Sequence, residues 1–568
     1  EMNLLLVQMN FHMAHVPGID DSYPIGLGYL DASLTEAGHS VTTLQLSELA
    51  QDDANCELLK NIARIEPELV GFQLLTGNRQ STFQAIIDIQ QRYPTIRILL
   101  GGAHATACWE SIVSTFPNIW ILRGEAERSI VQLVSAIEAG ECPDGIPGFV
   151  RNIGERIVQS PPAFDEQIDS FPQTNHRPFL RNDDRMASIL SSRGCPFACS
   201  FCSVARRKLR ARSITSVLDE IEYLIDTFPN LQIIRFFDDQ MFFDIPRTIA
   251  LCDGIVRRNL GVHFSAMARL KPCTKELVSA LESAKFDEIS FGLETGAPDV
   301  ARKMGKAVNP KDAEFAIELF KNSPIRTFLF LIVGLEGETS STILETAQFV
   351  RKLQGIKYMP VDTIGIATVY PETKLFERML HAGKISDDFW MNQAYEPFFT
   401  LEHDEATLWD FFDDLADYVS PQRLFVSRRA IELQEPFFLE IASYVAKNWN
   451  QANGPRCTLK ALRPYIGWMV ETIRWLHISG KLNQQQLSNS LELSCQQQQS
   501  EPVGKKLSTE EMILNYFRRV AMSSAYDQRP VVDAMKAVAL NALLVREESD
   551  RGRSPKVAPQ NLTADYLC

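Results

Sequence analysis

The stretch SRGCPFACSFCSVARRKLRARS, 192–213, sets Cys195, Cys199 and Cys202 in a CxxxCxxC spacing and follows them with five basic residues. Thiolates this close on one loop are soft metal ligands. Structural zinc takes four ligands, and no fourth cysteine or histidine lies nearby at finger-like spacing. Three thiolates suit a 4Fe–4S cluster with one iron left without a protein ligand. An open iron is a coordination site, so such a cluster can do chemistry as well as carry electrons. Zinc completed by a ligand distant in sequence, and three incidental core thiols, are the other readings of the same residues. Of the eleven cysteines, the remaining eight are scattered singly, which fits reduced thiols rather than a disulfide framework.

Two series of elements flank this loop. Residues 3–9, 39–46, 68–75, 96–102 and 118–124 are short apolar runs that read as strands, with helix-period stretches such as 25–37 and 80–92 between them. That alternation predicts an open parallel α/β sheet, a Rossmann-like domain over residues 1–142. Such sheets bind ligands beyond the carboxyl ends of their strands. Here those ends carry Leu75, Thr76, Gly77 and Asn78, then Gly101, Gly102 and His104, then Gly124 and Glu125. Their small residues are expected to let a bulky ligand approach the backbone. A proline-rich connector, 143–185, follows, with a hairpin expected around Asn152–Gly154. A second series then opens at 186–192 and continues through 231–239, 262–269, 287–294, 326–334 and 363–370. Six βα units are too few for a closed eightfold barrel and suit a partial one over 186–385, with its chemistry at the carboxyl ends of the strands. Residues 386–568 carry helical periodicity, including EATLWDFFDDLADYV, and are expected to form a helical C-terminal domain that partly covers the barrel mouth.

The formal net charge of −14 argues against a nucleic-acid-binding surface. No run approaches the ~18 apolar residues of a membrane span, and the chain opens on a strand-like run without a basic leader. A cytoplasmic location is the expectation.

The landmarks along the second series resemble the radical S-adenosylmethionine (SAM) superfamily. CxxxCxxC after the first barrel strand is its signature, and Phe201 matches the aromatic whose backbone faces adenine. FFDDQMFFD, with Asp238 and Asp239, resembles the second-strand segment. FGLETG supplies Gly292 and Glu294, the latter matching the acidic residue near the amino group and ribose of SAM. FLIVGLEGET, with Val333 and Gly334, resembles the fifth-strand motif that packs on adenine. VYPETKLFE, with Tyr370, resembles the element after the last strand, with Glu372 where glycine is commoner. Arg269 closes a barrel strand and is a further active-site candidate, whereas His263 and Met267 on that strand read as packing.

The first series resembles the cobalamin-binding domain that precedes the barrel in one large subclass. HMAHVPG offers His15 and Gly18 of the histidine motif known from cobalamin mutases, but Met13 stands at the aspartate position, so a loop histidine is the expectation. The resemblance implies a 4Fe–4S cluster, SAM and cobalamin as cofactors, a small-molecule substrate and a flavodoxin- or ferredoxin-type electron donor. The basic run Arg206, Arg207, Lys208, Arg210 and Arg212 reads either as a solvated face or as a surface for an anion or an acidic donor. The implied function is C-methylation of an unactivated carbon through a 5′-deoxyadenosyl radical and methylcobalamin. The alternative is oxidative cyclisation or rearrangement of the tetrapyrrole-cyclase kind. RNA methylthiolation would require three N-terminal cysteines for a second cluster, and Cys56, Cys108 and Cys142 do not stand in such motifs.

Overall fold

A computed structural model describes residues 2–11, 23–306, 310–392 and 399–419, apart from positions 48, 50, 155, 183, 358 and 360. His15 and the helical periodicity beyond 419 lie outside these residues. Strands β1 (Asn3–Gln8), β2 (Ser40–Gln45), β3 (Leu69–Gln73), β4 (Arg97–Gly101) and β5 (Ile119–Leu122) are parallel, and β6 (Phe149–Ile153) and β7 (Arg156–Gln159) extend them antiparallel. The order is β2-β1-β3-β4-β5-β6-β7. Leu5, Val7, Phe72 and Leu100 pack into one helix layer, while Leu4, Leu6, Leu69 and Leu99 pack into the other. Burial on both faces is why these strands read as continuous apolar runs rather than alternating ones. The strand order reverses between β1 and β3, and this opens a crevice at their carboxyl ends. The expected connector hairpin is present as β6–β7, and it covers the free edge of β5.

A second sheet, curled as a half-barrel, holds β8 (Met186–Ile189), β11 (Ile233–Phe236), β12 (His263–Arg269), β13 (Phe286–Glu294), β14 (Arg326–Val333) and β15 (Val361–Ile366), all parallel and in sequence order. Two short strands, β9 (Ser192–Arg193) and β10 (Arg210–Ala211), pair separately. Helices cover the outer face, and Ser213, Asp244, Thr274 and Thr339 each cap one through a side-chain oxygen. The helix Glu405–Val419 matches its sequence expectation and buries Leu408, Phe412 and Leu415 against the barrel core. The last barrel strand lies earlier than 363–370. The strand ends at Ile366, Ala367 N makes a last bond to Val333 O, and residues 368–370 lie outside the strand ahead of Pro371 and Glu372, whose φ of +62° is left-handed.

β8 is an edge strand, and a side chain from the first domain occupies its open edge. Tyr23 Oη accepts from Ser188 N at 3.1 Å and donates to Ser188 O at 3.0 Å. Tyr23 also meets His176, whose other ring nitrogen lies 2.8 Å from Glu220, and Glu220 pairs with Arg212. One buried polar chain thus joins the first domain, the connector and the barrel. Among the described residues no helix is long and apolar enough to cross a membrane.

Candidate active site

The cysteine loop is cinched at its base by the β9–β10 pair, Arg193 opposite Arg210 and Ser192 opposite Ala211. Gly194 crosses there at φ +89°, where a Cβ would stand 2.4 Å from Lys208 O. Asp238 is fully buried and accepts from Ser191 N at 2.7 Å, Ser191 Oγ at 2.6 Å and Ser192 Oγ at 2.7 Å. Asp239 accepts from Gly194 N at 2.9 Å. Burial pushes both carboxyls up. Both therefore anchor the loop from below. Farther along it, Ser200 N donates to Met304 O and Leu375 N donates to Ser200 O. Cys199 is buried, and Cys195 and Cys202 are half-buried. The three thiols are near enough to couple electrostatically, and burial raises Cys195 and pushes Cys202 up to about 11. Among the described residues no three His, Cys, Asp or Glu side chains converge as a closed ion site.

Above the loop, the Arg269 guanidinium lies 3.7 Å from the centroid of Phe197 and 3.8 Å from Cys199 Sγ. Its Nε is buried without a hydrogen-bond acceptor among the described residues. Glu294 sits in a left-handed backbone turn at the end of β13 and pairs with Lys306, both largely buried. Gly292 makes room for that pair, since a Cβ there would meet Glu294 Oε1 at 2.6 Å and Lys306 Nζ at 2.7 Å. Phe201 and Ile332 pack on an apolar cluster of Ala297, Val300, Met304 and Leu335. The side chain of Val333 instead belongs to the helix-covered core. Ile332 is thus the fifth-strand residue that faces the loop, as the alternation of strand side chains requires. Gly334 adopts φ +87°, and a Cβ there would collide with Leu408. Glu338 accepts from the backbone N–H groups of Gly334 and Leu335.

The carboxyl ends of the first sheet face this mouth. Glu125 makes a two-pronged pair with Arg210 at 2.7 and 2.6 Å, and Glu127 meets Arg193 at 2.6 Å. Tyr370 stacks on Trp390, and the edge of Trp390 meets His104. Arg79 lies over Trp390 and donates to the carbonyls of Thr76 and Trp390. Asn78 closes its own turn through Leu75 N and Gln73 O. Thr76 Oγ1 lies 3.0 Å from His104 Nδ1, while His104 Nε2 is buried without a partner among the described residues, and burial pushes its pKa down to about 3. The expectation that small residues here open the backbone to a ligand needs correction at three places. A Cβ at Gly77 would meet Phe11 at 2.8 Å, at Gly102 it would meet Leu74 O at 2.8 Å, and at Gly124 it would meet Ala163 O at 2.1 Å, so these glycines admit the protein's own atoms. Gly101 is looser, with Leu122 O at 3.7 Å.

The basic run is neither a bare solvated face nor a free docking patch. Arg207 pairs with Glu372, Lys208 with Glu166, Arg210 with Glu125, and Arg212 with Glu220. Glu372, Glu166 and Glu125 lie far off in sequence, so those pairings were not legible beforehand, whereas Glu220 is eight residues beyond Arg212. Lys306, Ile332 and Trp390 were also missed, and of these only Ile332 had a usable signal, its period-two register with Phe328 and Phe330.

Residues 189–350 match the Radical SAM superfamily, and residues 19–134 match the B12 binding domain. An uncharacterized methyltransferase of Pyrococcus horikoshii is 26% identical over 392 residues, covering 67% of this chain and 83% of its own length. The anaerobic magnesium-protoporphyrin IX monomethyl ester cyclase of Rubrivivax gelatinosus is 26% identical across 62% of this chain and 66% of its own. The structure of TsrM, a radical S-adenosylmethionine methyltransferase from Kitasatospora setae, superposes with a TM-score of 0.57 at 21% identity, covering 67% of this chain and 77% of that one. The two domains in tandem support a cobalamin-binding radical SAM, methyltransferase-like family.

As a radical SAM enzyme it uses a 4Fe–4S cluster, SAM and cobalamin. The site's own features fit these groups. Three thiols share one tied loop, a cation stands beside Cys199, and an orphaned imidazole nitrogen, that of His104, sits beyond the carboxyl ends of β3 and β4. Two predictions arise here. Lys306→Met leaves the largely buried Glu294 without its cation, a change that costs about 3–5 kcal/mol where one member of a buried pair is removed. Calorimetry should show a thermal midpoint lower by several degrees, and an unchanged midpoint would remove the pair from the account. Burial pushes Glu338 up to about 8 from an ordinary 4.5. The fold therefore holds this proton more tightly than the unfolded chain does. Its contribution is greatest below pH 4.5 and declines as pH rises towards 8, by a few kcal/mol on the order of magnitude. Glu338→Gln, which keeps the acceptor, should lose that slope in melts between pH 5.5 and 8.5.

Proposed function

We propose that this radical SAM enzyme is a C-methyltransferase acting on an unactivated carbon of a small molecule. The observation that carries the reading is the orientation of the two domains, in which the carboxyl ends of the first sheet face the mouth of the half-barrel. A crevice for a methyl carrier and a loop for a SAM-cleaving cluster then open on one chamber, as close approach of the reacting atoms demands. When bound, the cofactors supply the one-electron chemistry and the methyl carrier. The chain's own residues hold and orient. Cys195, Cys199 and Cys202 would ligate the cluster, with Asp238 and Asp239 fixing their loop. Arg269 places positive charge beside Cys199. Glu294, oriented by Lys306, would receive the amino group or ribose of SAM, and Phe201 with Ile332 would flank adenine. Thr76, Asn78 and His104 border the cobalamin crevice, and Tyr370 with Trp390 seals the seam between domains against water. A flavodoxin- or ferredoxin-type donor would deliver the electron, in a cytoplasmic setting.

Similarity to the magnesium-protoporphyrin cyclase supports a second reading, oxidative cyclisation without net methylation. One experiment separates them. Anaerobically reconstituted enzyme is incubated with methyl-deuterated SAM, a reductant and a small-molecule extract, and products are read by mass spectrometry. Methyltransfer predicts a product carrying the labelled methyl group. A product that has lost hydrogen and carries no label supports cyclisation and overturns methylation.

A further inference from the structure

We propose that the floor of the half-barrel is a binding subsite for the carboxylate of a substrate with an apolar body. Three adjacent strands, β8, β11 and β12, carry Ser188, Arg235 and Ser265 in one register row. Each is flanked by residues of the helix-covered core: Ala187 and Ile189, Ile234 and Phe236, Phe264 and Ala266. Strand alternation therefore turns all three side chains to the opposite, concave face. All three are buried, with Arg235 only 7% exposed. Ser188 Oγ, Arg235 Nη1 and Ser265 Oγ have no hydrogen-bond partner among the described residues. A buried guanidinium nitrogen and two buried hydroxyls that go unsatisfied are costly to a fold, and their alignment in one row gives that cost a purpose. The next side chain in the row, Glu288, is taken by Arg326 at 2.8 Å, so no carboxylate of the row is committed to Arg235.

The tiers above the floor complete the description of the ligand. Two residues up, roughly 7 Å along the strands, Met267 and Phe328 occupy one row and are partly exposed, and Phe237 is exposed beyond the end of β11. Another two residues up stand Arg269 and Gly292, beside the cysteine loop and Glu294. A carboxylate on the floor would thus direct an apolar body up past Met267 and Phe328 and present its far carbons to the cofactor end. Arg235 supplies a planar fork matched to a carboxylate, and the serines supply flanking donors.

This inference rests on reading the concave face as the reaction chamber, and the test keeps the two separable. Octanoate and octanol serve as probes, and binding to the reconstituted full chain is measured by titration calorimetry. Wild type is expected to bind octanoate in preference to octanol. Arg235→Met should weaken octanoate roughly tenfold to a hundredfold, Arg235→Lys should restore part of that loss, and Ser188→Ala with Ser265→Ala should fall between. Arg235→Met should also melt above wild type, because an unsatisfied buried cation gives way to an apolar side chain. No octanoate binding, equal binding of the two probes, equal octanoate binding by wild type and Arg235→Met, or a lower melting point for that variant would each overturn the subsite. Failure of the chamber reading would appear elsewhere, as wild-type enzyme unable to cleave SAM reductively.

Discussion

Single replacement of Cys195, Cys199 or Cys202 by alanine is expected to bring reductive SAM cleavage down to background, with 5′-deoxyadenosine undetectable and bound iron sharply reduced. Each thiolate would hold one iron, and no spare ligand stands ready, since among the described residues no alternative group of three His, Cys, Asp or Glu side chains is preassembled as an ion site, and the cysteines themselves are not gathered into one. The loop cannot readily recruit a replacement. Its base is pinned by β9–β10 and by Asp239, and its middle by Met304 O. Burial raises Cys195 and Cys202, so these two present themselves as thiols until metal draws off the proton, and iron loading should release protons. Cobalamin binding reports on the other domain and should persist in all three variants. Retention of 5′-deoxyadenosine formation in any one of them would defeat the cluster assignment.

The second large effect is expected at Asp238. Its two oxygens take three hydrogen bonds from Ser191 and Ser192, and Arg247 donates to Ser191 beside it. Asp238→Ala strands three buried donors at about 1–3 kcal/mol each. A thermal midpoint lower by ~10 °C follows for a domain of this size. The stranded serines begin the cysteine loop, so iron retention should fall with stability. Asp238→Asn keeps one acceptor oxygen and should lose less of both. If Asp238→Ala retained full iron and its melting point, the carboxylate would have no part in holding the loop.

Much of this was legible from sequence, for definite physical reasons. Strands buried on two faces must be apolar throughout, so NLLLVQM and IRILLGG announced themselves. Three thiols on one short loop pointed to their own chemistry. What sequence could not show was pairing across distance. Arg210 finds Glu125 and Lys208 finds Glu166 through folding, and nothing local to the basic run foretold either. Val333 was named from the motif, whereas Ile332 packs with Phe201; both are apolar, and only the register on β14 separates them. The strand end at Ile366 was overrun because Ala367 to Tyr370 have strand-like composition, whereas Pro371 and the left-handed Glu372 dictate a turn. The glycines of the first domain were read as room for a guest, when the room was already filled by Phe11, Leu74 and Ala163.

The hydroxyl of Tyr23, bonded to both the amide and the carbonyl of Ser188, does for β8 what a seventh strand would do. An open sheet edge invites other chains to add to it. Here a single phenol satisfies that edge, and it is supplied by the domain that precedes the barrel in the chain. The half-barrel is therefore not a module that can be excised and carried elsewhere unchanged. Cut away from Tyr23, it would present an unsatisfied strand to its neighbours and would be prone to self-association. Any graft or truncation that keeps the cysteine loop has to bring this tyrosine, or a substitute for it, along.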